Sequence, residues 1–231
     1  MNIYINKDEF NELKKYTIGE YQFGSVLYGL NKQNSDIDIL HLYNSPKEWK
    51  ETLDFYNINH QFQYKDIENN IDNIFTSVEQ FWKNLTTGDS TINCDIFLFN
   101  ENFNGAFDAE YRLKFVRTYR ILKAYLGFAK RDFKKVTEGK HKVIHGARCI
   151  YMVETLLKNE LPTIDGLKNY VKDITIKDVF NLIDKEIELR YKITEMLNRN
   201  EIKHYYMPKI TDNLLNKLLQ SINIIEFKYD K

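Results

Sequence analysis

The sequence predicts an α/β core followed by a helical region. Over residues 1–105, short apolar strands alternate with amphipathic helices, which is typical of a layered α/β fold. After Asn104-Gly105 the apolar residues recur at helical spacing almost to the end of the chain. We therefore predict two domains, residues 1–105 and residues 106–231.

Composition limits the class of protein. The chain has 231 residues, of which 43% are hydrophobic and 29% charged, and its formal net charge is zero. This is ordinary for a globular protein that can bury a full core. Cys94 and Cys149 lie in apolar runs without C-x-x-C spacing, which favours buried thiols over a disulfide or a zinc site. Because there is neither a signal-peptide pattern nor an apolar run of membrane-spanning length, we expect a cytoplasmic protein.

Local patterns predict each element of the first domain. Apolar residues at helical spacing mark helices, and strict alternation marks strands. Ser45-Pro46 is typical of a helix start and Gly88 of a helix end. The predicted elements are a helix over 7–17, strands over 21–24 and 35–43, a helix over 46–56, a strand over 59–64, a turn and a second strand segment over 67–75, a helix over 77–85 and a strand over 92–99.

The second domain is predicted to be helical throughout. The predicted helices cover residues 111–128, 142–158, 179–198 and 211–225. The third of them carries a heptad-like apolar set at Ile183, Ile187, Tyr191 and Leu197.

One stretch carries a pattern that points to chemistry. A Gly24-Ser25 turn is followed by Ser35-Asp36-Ile37-Asp38 at the start of an apolar strand. In a strand Asp36 and Asp38 lie on one face, because side chains alternate. Two carboxylates beside a turn that can approach a phosphate suit Mg²⁺ and a nucleoside triphosphate (NTP). The simpler alternative is an edge strand with two solvated aspartates.

The full pattern, G-S-x-x-x-G-x-x-x-x-x-S-D-x-D, resembles the signature of the DNA polymerase β-like nucleotidyltransferase superfamily. The resemblance implies an α/β (α+β) nucleotidyltransferase core with a mixed sheet, two Mg²⁺ or Mn²⁺ ions as cofactors and an NTP as substrate. It also implies that Asp36 and Asp38 bridge the metal ions. Gly24 and Ser25 would contact the β- and γ-phosphates.

The superfamily uses a third carboxylate, for which the sequence offers three candidates. Asp72 lies where the third core strand should carry its acid, and topology favours it as a metal ligand. Asp95 lies inside an apolar run, an unusual place for a charge without a partner. Asp66 is the third candidate, and for each of them an ordinary solvated aspartate is the alternative.

A narrower resemblance is to the predicted nucleotidyltransferases associated with RNA repair operons. It rests on Gly-Ser-x-x-Tyr-Gly with Ser-Asp-Ile-Asp, on Tyr125-Leu126-Gly127, on Lys142-x-x-His145-x-x-Arg148 and on Leu161-Pro162. The resemblance adds Tyr28, Ser35, Lys142, His145 and Arg148 to the predicted nucleotide-binding residues. The chain departs from the group in having Asp95 where a glutamate is expected. A solvated basic face is the alternative for the last three residues.

The basic residues are concentrated between Arg112 and Arg148, which indicates a local phosphate-binding surface. Arg117, Arg120 and Lys123 form a second basic stripe there, which binds a nucleic-acid backbone or simply faces solvent. The leading hypothesis is transfer of a nucleoside monophosphate (NMP) from an NTP to an RNA 3′ end, such as that of a tRNA. The alternatives are a protein-modifying, AMP-adding enzyme of antitoxin type and an inactive fold used for binding. No membrane partner is expected.

Overall fold

The computed structural model describes residues 3–31, 35–45, 61–100, 103, 106–206 and 208. These residues divide into two compact units. The first takes the described residues up to Lys83 together with Asn100, Phe103 and Ala106, and the second takes Asn84–Phe99 and the described residues from Phe107 onward. A domain boundary between residues 105 and 106 stays a prediction.

A mixed sheet forms the centre of the first unit, as predicted. Its described strands lie in the order β1-β4-β5-β3-β2. The pairs β1/β4 and β3/β5 are parallel, whereas β4/β5 and β2/β3 are antiparallel. The strands are β1 (Ile3–Tyr4), β2 (Thr17–Phe23), β3 (Ile37–Tyr43), β4 (Gln61–Asp66) and β5 (Ile71–Ser77).

Three helices accompany these strands in sequence: α1 (Lys7–Lys14), α2 (Gly24–Leu27) and α3 (Val78–Thr87). The helix α1 begins with a capping box, in which the side chain of Asn6 accepts from the N–H of Glu9 and Glu9 accepts from the N–H of Asn6. Its inward residues, Phe10 and Leu13, pack against Phe75 and so cover one face of the sheet.

His41 joins the central strands on that same face. Its ring is almost fully buried and stacks on Phe75 at 4.4 Å between centroids. Nδ1 lies 3.0 Å from Oε1 of Glu20 on β2, and Nε2 lies 2.8 Å from Oδ1 of Asn73 on β5. Burial lowers the pKa of His41 to about 4, so the ring is neutral at pH 7. These two contacts join β2, β3 and β5 on the face of the sheet that α1 covers.

The described part of the second unit is helical. Two long helices, α6 and α7, pack against each other, and α8 and α9 pack onto them. Gly146 of α7 allows the close approach, because a Cβ there would lie 2.2 Å from Cε1 of Phe133 on α6. The helices are α4 (Thr91–Phe99), α5 (Ala109–Val116), α6 (Tyr119–Lys134), α7 (Lys140–Leu157), α8 (Ile164–Val171) and α9 (Val179–Asn198), with short 3₁₀ turns at Val136–Glu138 and Ile176–Asp178.

The predicted strand over residues 92–99 is wrong, because this segment is the helix α4. Eight of its nine residues are buried, so the run is apolar on every side and its periodicity cannot separate a buried strand from a buried helix. The missed signal is Ser90, whose hydroxyl accepts from the N–H of Asn93 at the helix start.

The predicted helix over residues 111–128 is also wrong, because α5 and α6 are separate helices. Arg117 and Thr118 interrupt them, and the backbone of Thr118 forms a bridge with Lys203 far along the chain. Arg117 donates to the carbonyls of Leu156 and Glu201, so its guanidinium fills a structural role between segments. A local pattern could not reveal these distant partners.

The helix α9 has the bounds predicted for it, but the heptad-like set is not its buried face. Leu182, Glu186, Leu189 and Ile193 are buried, whereas Ile187 and Tyr191 are exposed. Glu186 is neutralised by Arg190 one turn later, which allows a charged residue on the inner face.

Most of the other predicted elements occur with shifted ends, and α3 ends at Gly88 as predicted, with φ of +70°. The predicted helices over 46–56 and 211–225 lie outside the described residues. Cys94 and Cys149 are buried free thiols, as expected. Among the described helices, none combines the length and the apolar character needed to cross a membrane.

Candidate active site

Three aspartates meet at one edge of the sheet. β3 and β5 are parallel neighbours, and Asp38 pairs in register with Asp72. Asp36 precedes Asp38 by two residues and lies on the same side. One carboxylate oxygen from each of the three lies within 4.8 Å of the others. Asp36 is exposed, and Asp38 and Asp72 are half-buried, so the group opens to solvent.

The predicted Gly-Ser turn lies against this group. β2 runs antiparallel to β3 and ends at Phe23, which pairs with Asp38. Gly24 follows at once, with φ of +65°, a conformation that other residues adopt only with strain. A Cβ on Gly24 would lie 2.2 Å from Oδ2 of Asp38. Glycine is therefore required both for the backbone conformation and for the room it leaves to the carboxylate.

Ser25 lies in the first turn of α2, which starts at Gly24. The first N–H groups of a helix have no partner inside it, and no side chain of Phe23 caps them here. Such groups can donate to phosphate oxygens. Tyr28 closes this helix, and its side chain is buried, whereas Ser35 is half-buried immediately before Asp36.

The charges at this edge do not cancel among the residues that the structure describes. Lys65 pairs with Asp72 in register across β4 and β5, and its Nζ lies 3.3 Å from Oδ1 of Asp72. Three carboxylates and one ammonium leave two negative charges when all are ionised. Burial raises the pKa of Asp38 to about 6, the charges of Asp36 and Asp72 add to that rise, and Lys65 opposes it. A divalent cation would neutralise the remainder.

The donor set suits a hard cation. Mg²⁺ and Mn²⁺ prefer carboxylate oxygens and keep several waters or substrate oxygens, so they are held by a few acids at an open site. Asp36, Asp38 and Asp72 offer that arrangement, and we find no second group of this kind among the described residues.

Sequence reasoning missed Lys65. The signal was the turn after β4, where Asn70 has positive φ and Asp66 accepts from both the backbone and side-chain N–H groups of Asn69. A four-residue turn between Asp66 and Ile71 sets Lys65 opposite Asp72. Asp66, the third candidate for the extra carboxylate, thus has a role in the turn.

Asp95 lies in the second unit, on α4, and is not part of the carboxylate group. It is nearly fully buried. Oδ1 accepts a 2.6 Å hydrogen bond from Tyr125, and Oδ2 lies 3.4 Å from a guanidinium nitrogen of Arg148. Its partners, which the sequence alone could not show, are therefore a tyrosine on α6 and an arginine on α7.

Two basic residues of α7 lie near acids of their own unit. Lys142 approaches Glu138 at 3.5 Å, and Arg148 approaches Asp95. The side chain of His145 is exposed. Partial desolvation of its ring and, second, the charge of Arg148 lower the pKa of His145. Binding of a triphosphate by these three residues stays a prediction.

Comparison with known proteins agrees with the geometry. The family model described as Nucleotidyltransferase domain matches residues 6–177, about three quarters of the chain. The chain belongs to this family. No curated protein sequence matches it. The nucleotidyltransferase assignment predicted from the Gly-Ser and Asp-x-Asp pattern is confirmed, and NMP transfer is the general activity of such a domain.

Proposed function

We propose that this nucleotidyltransferase moves an NMP from an NTP to the 3′ hydroxyl of an RNA, with Mg²⁺ or Mn²⁺ held by Asp36, Asp38 and Asp72. The observation that carries the proposal is the uncompensated carboxylate group next to Gly24. Two divalent ions in such a site stabilise the entering and leaving oxygens of an in-line displacement at phosphorus.

Other groups near the three aspartates would have separate roles in the proposed reaction. In this proposal, the N–H groups at the start of α2 and the Ser25 hydroxyl would donate to the leaving phosphates. Burial and the two neighbouring acids raise the pKa of Asp38, and a bound divalent cation would favour its ionised form as a ligand. Lys65 contacts the carboxylate of Asp72 and so helps to orient this ligand.

An RNA acceptor is supported by the charge of the second unit. The segment between Arg112 and Arg148 is strongly basic although the whole chain is neutral. Local basic surfaces on a neutral protein suit a polyanionic partner more than a protein hydroxyl.

An incorporation assay tests the proposal. The full chain is given each labelled NTP in turn with Mg²⁺ or Mn²⁺, with total RNA and with lysate protein as separate acceptors. We expect label in RNA that disappears in the Asp36→Asn/Asp38→Asn variant. Label in a protein band would identify a protein, and not RNA, as the acceptor. Absence of both label and pyrophosphate release would contradict NMP transfer altogether.

A further inference from the structure

The exposed side of α6 carries an uninterrupted basic surface. Six of its residues recur at spacings of three and four and so share one face of the helix. All six are exposed; five are cationic, one is glycine and none is acidic. We call them the α6 face: Arg120, Lys123, Gly127, Lys130, Arg131 and Lys134.

The cations of the α6 face are weakly neutralised. Arg120 pairs with Asp89 at 2.9 Å and Arg131 with Asp132 at 2.8 Å, but their side chains are 42% and 55% exposed. The Arg120–Asp89 pair is exposed on both sides and is easily exchanged for another anion, whereas the carboxylate of Asp132 is buried. Among the described residues, no carboxylate oxygen lies within 4.0 Å of the ammonium groups of the three lysines on this face.

Gly127 is a second, independent observation. An interior glycine weakens a helix relative to alanine, so its presence calls for a reason. Packing supplies none, because a Cβ at Gly127 would have nothing within 4 Å. A position without a side chain, between Lys123 and Lys130, lets the backbone of a ligand approach the helix closely.

Aromatic rings lie at the N-terminal end of the α6 face. The N–H groups of Tyr119 and Arg120 donate to the carbonyls of Lys203 and His204, which holds that segment beside the helix start. The rings of Tyr119 and His204 stack at 5.5 Å, and the following Tyr205 is 47% exposed.

We propose that the α6 face binds the backbone of a single-stranded RNA, with bases stacking on the aromatic rings at its N-terminal end. A basic track with adjacent aromatic rings is how proteins hold single strands without reading sequence. Lys123 and Lys134 are about 16 Å apart along the helix, which is long enough for several successive phosphates. The inference rests on the proposed function, since it assigns the surface that holds the RNA acceptor.

Fluorescence anisotropy tests the surface without any chemistry. The probe is a labelled single-stranded oligoribonucleotide of about 12 nucleotides, titrated with the full chain without NTP. Salt is varied from about 50 to 200 mM KCl. We expect Lys123→Gln/Lys130→Gln/Lys134→Gln to lose at least about tenfold in affinity and its salt slope to fall by about two. The control Lys168→Gln/Lys172→Gln/Lys177→Gln, with the same charge change at exposed positions in and after α8, should bind within about twofold of the wild type.

A second pair of variants avoids any loss of folding. Gly127→Glu and Gly127→Gln introduce side chains of the same shape at an exposed position where a Cβ has nothing within 4 Å. The acid should weaken RNA binding several-fold more than the amide. Likewise, Tyr205→Ala should weaken binding and Tyr205→Phe should not, because the ring stacks on a base. Circular dichroism melting verifies that each variant is folded.

Equal affinity of the wild type and the triple lysine variant would overturn the inference, as would no RNA binding, or binding to phosphatidylserine vesicles in place of RNA. The two proposals fail separately. Salt-sensitive binding through the α6 face without NMP incorporation would contradict the proposed function alone. Incorporation into RNA that is unchanged in the triple variant would contradict the α6 face alone.

Discussion

Two acidic sites in this molecule differ in how their charge is balanced. Among the described residues, Asp36, Asp38 and Asp72 share one cation, Lys65, and the three acids lie open to solvent. Asp95 is buried in the second unit, where a tyrosine hydroxyl and the guanidinium of Arg148 satisfy its two oxygens. An acid group with unmatched charge at an open edge is built to receive a cation, whereas a matched buried acid stabilises packing.

The largest expected effect comes from removing the charge of Asp38 at the sheet edge. The Asp38→Asn variant should lose at least about a thousandfold in NMP incorporation, because metal ions supply several kcal/mol of transition-state stabilisation. Its fold should be retained, since the change removes repulsion from two neighbouring carboxylates. Steady-state incorporation and circular dichroism melting measure the two quantities. Unfolding of this variant would break the comparison.

The same substitution at Asp95 should lower the stability of the fold. Asp95→Asn removes the negative charge beside the guanidinium of Arg148, whose side chain is only 16% exposed. We expect a loss of about 3 kcal/mol in the free energy of unfolding, measured by urea denaturation. Asp89→Asn is the control: it breaks the exposed pair with Arg120 and should cost less than about 1 kcal/mol. Equal losses in the two variants would contradict this reading of Asp95.

The Gly24→Ala variant should disturb the carboxylate group at the sheet edge by straining the backbone and displacing Asp38. The positive φ strains alanine by about 1–2 kcal/mol. The new Cβ would also push the carboxylate of Asp38, and such a displacement costs about a hundredfold in rate. Gly127→Ala, with open space around the Cβ, is the matched control and should not lower the melting temperature. Wild-type incorporation by Gly24→Ala would show that the turn does not position the acid.

The smallest effect is a pH dependence of stability without metal. The folded state raises the pKa of Asp38 from 3.8 to about 6, so it holds more protons than the unfolded state in that range. Burial of the Asp38 charge and, second, its repulsion from Asp36 and Asp72 therefore destabilise the fold at pH 7, by about 1 kcal/mol after solvent screening, and this destabilisation fades as the pH falls through 6.

The measurement is the difference in melting temperature between Asp38→Asn and the wild type. It should be positive at pH 7, shrink toward pH 5, and become negative at pH 7 with saturating Mg²⁺, which binds and stabilises only the wild type. The lowered pKa of His41 acts in the opposite direction in the same range, but it is common to both proteins and cancels in the difference. A difference that is constant with pH would contradict the charge imbalance.

The site at the sheet edge was predictable because its signals are local. Gly24, Ser25, Asp36 and Asp38 lie within fifteen residues, and strand alternation alone puts both acids on one side. Asp72 needed one further step, the parallel pairing of β3 with β5. Lys65 needed the hairpin register set by the turn at Asn70, which the pattern of apolar residues left undefined.

The second unit was harder to predict because its signals are distant. The α4 segment is buried on every side, so no periodicity distinguishes helix from strand. The break before α6 depends on Lys203, more than eighty residues away. The buried face of α9 contains Glu186, a charge that a hydrophobic pattern excludes until its partner Arg190 is known.

Binding of Mn²⁺ is the most direct test of the difference between the two sites. Electron paramagnetic resonance of free Mn²⁺, titrated with wild type, Asp38→Asn and Asp95→Asn below the melting temperature of each, reports the ion bound. We predict that the wild type and Asp95→Asn remove Mn²⁺ from solution with the same affinity and that Asp38→Asn does not. Binding that survives in Asp38→Asn, or that is lost in folded Asp95→Asn, would contradict the assignment of the metal site to the sheet edge.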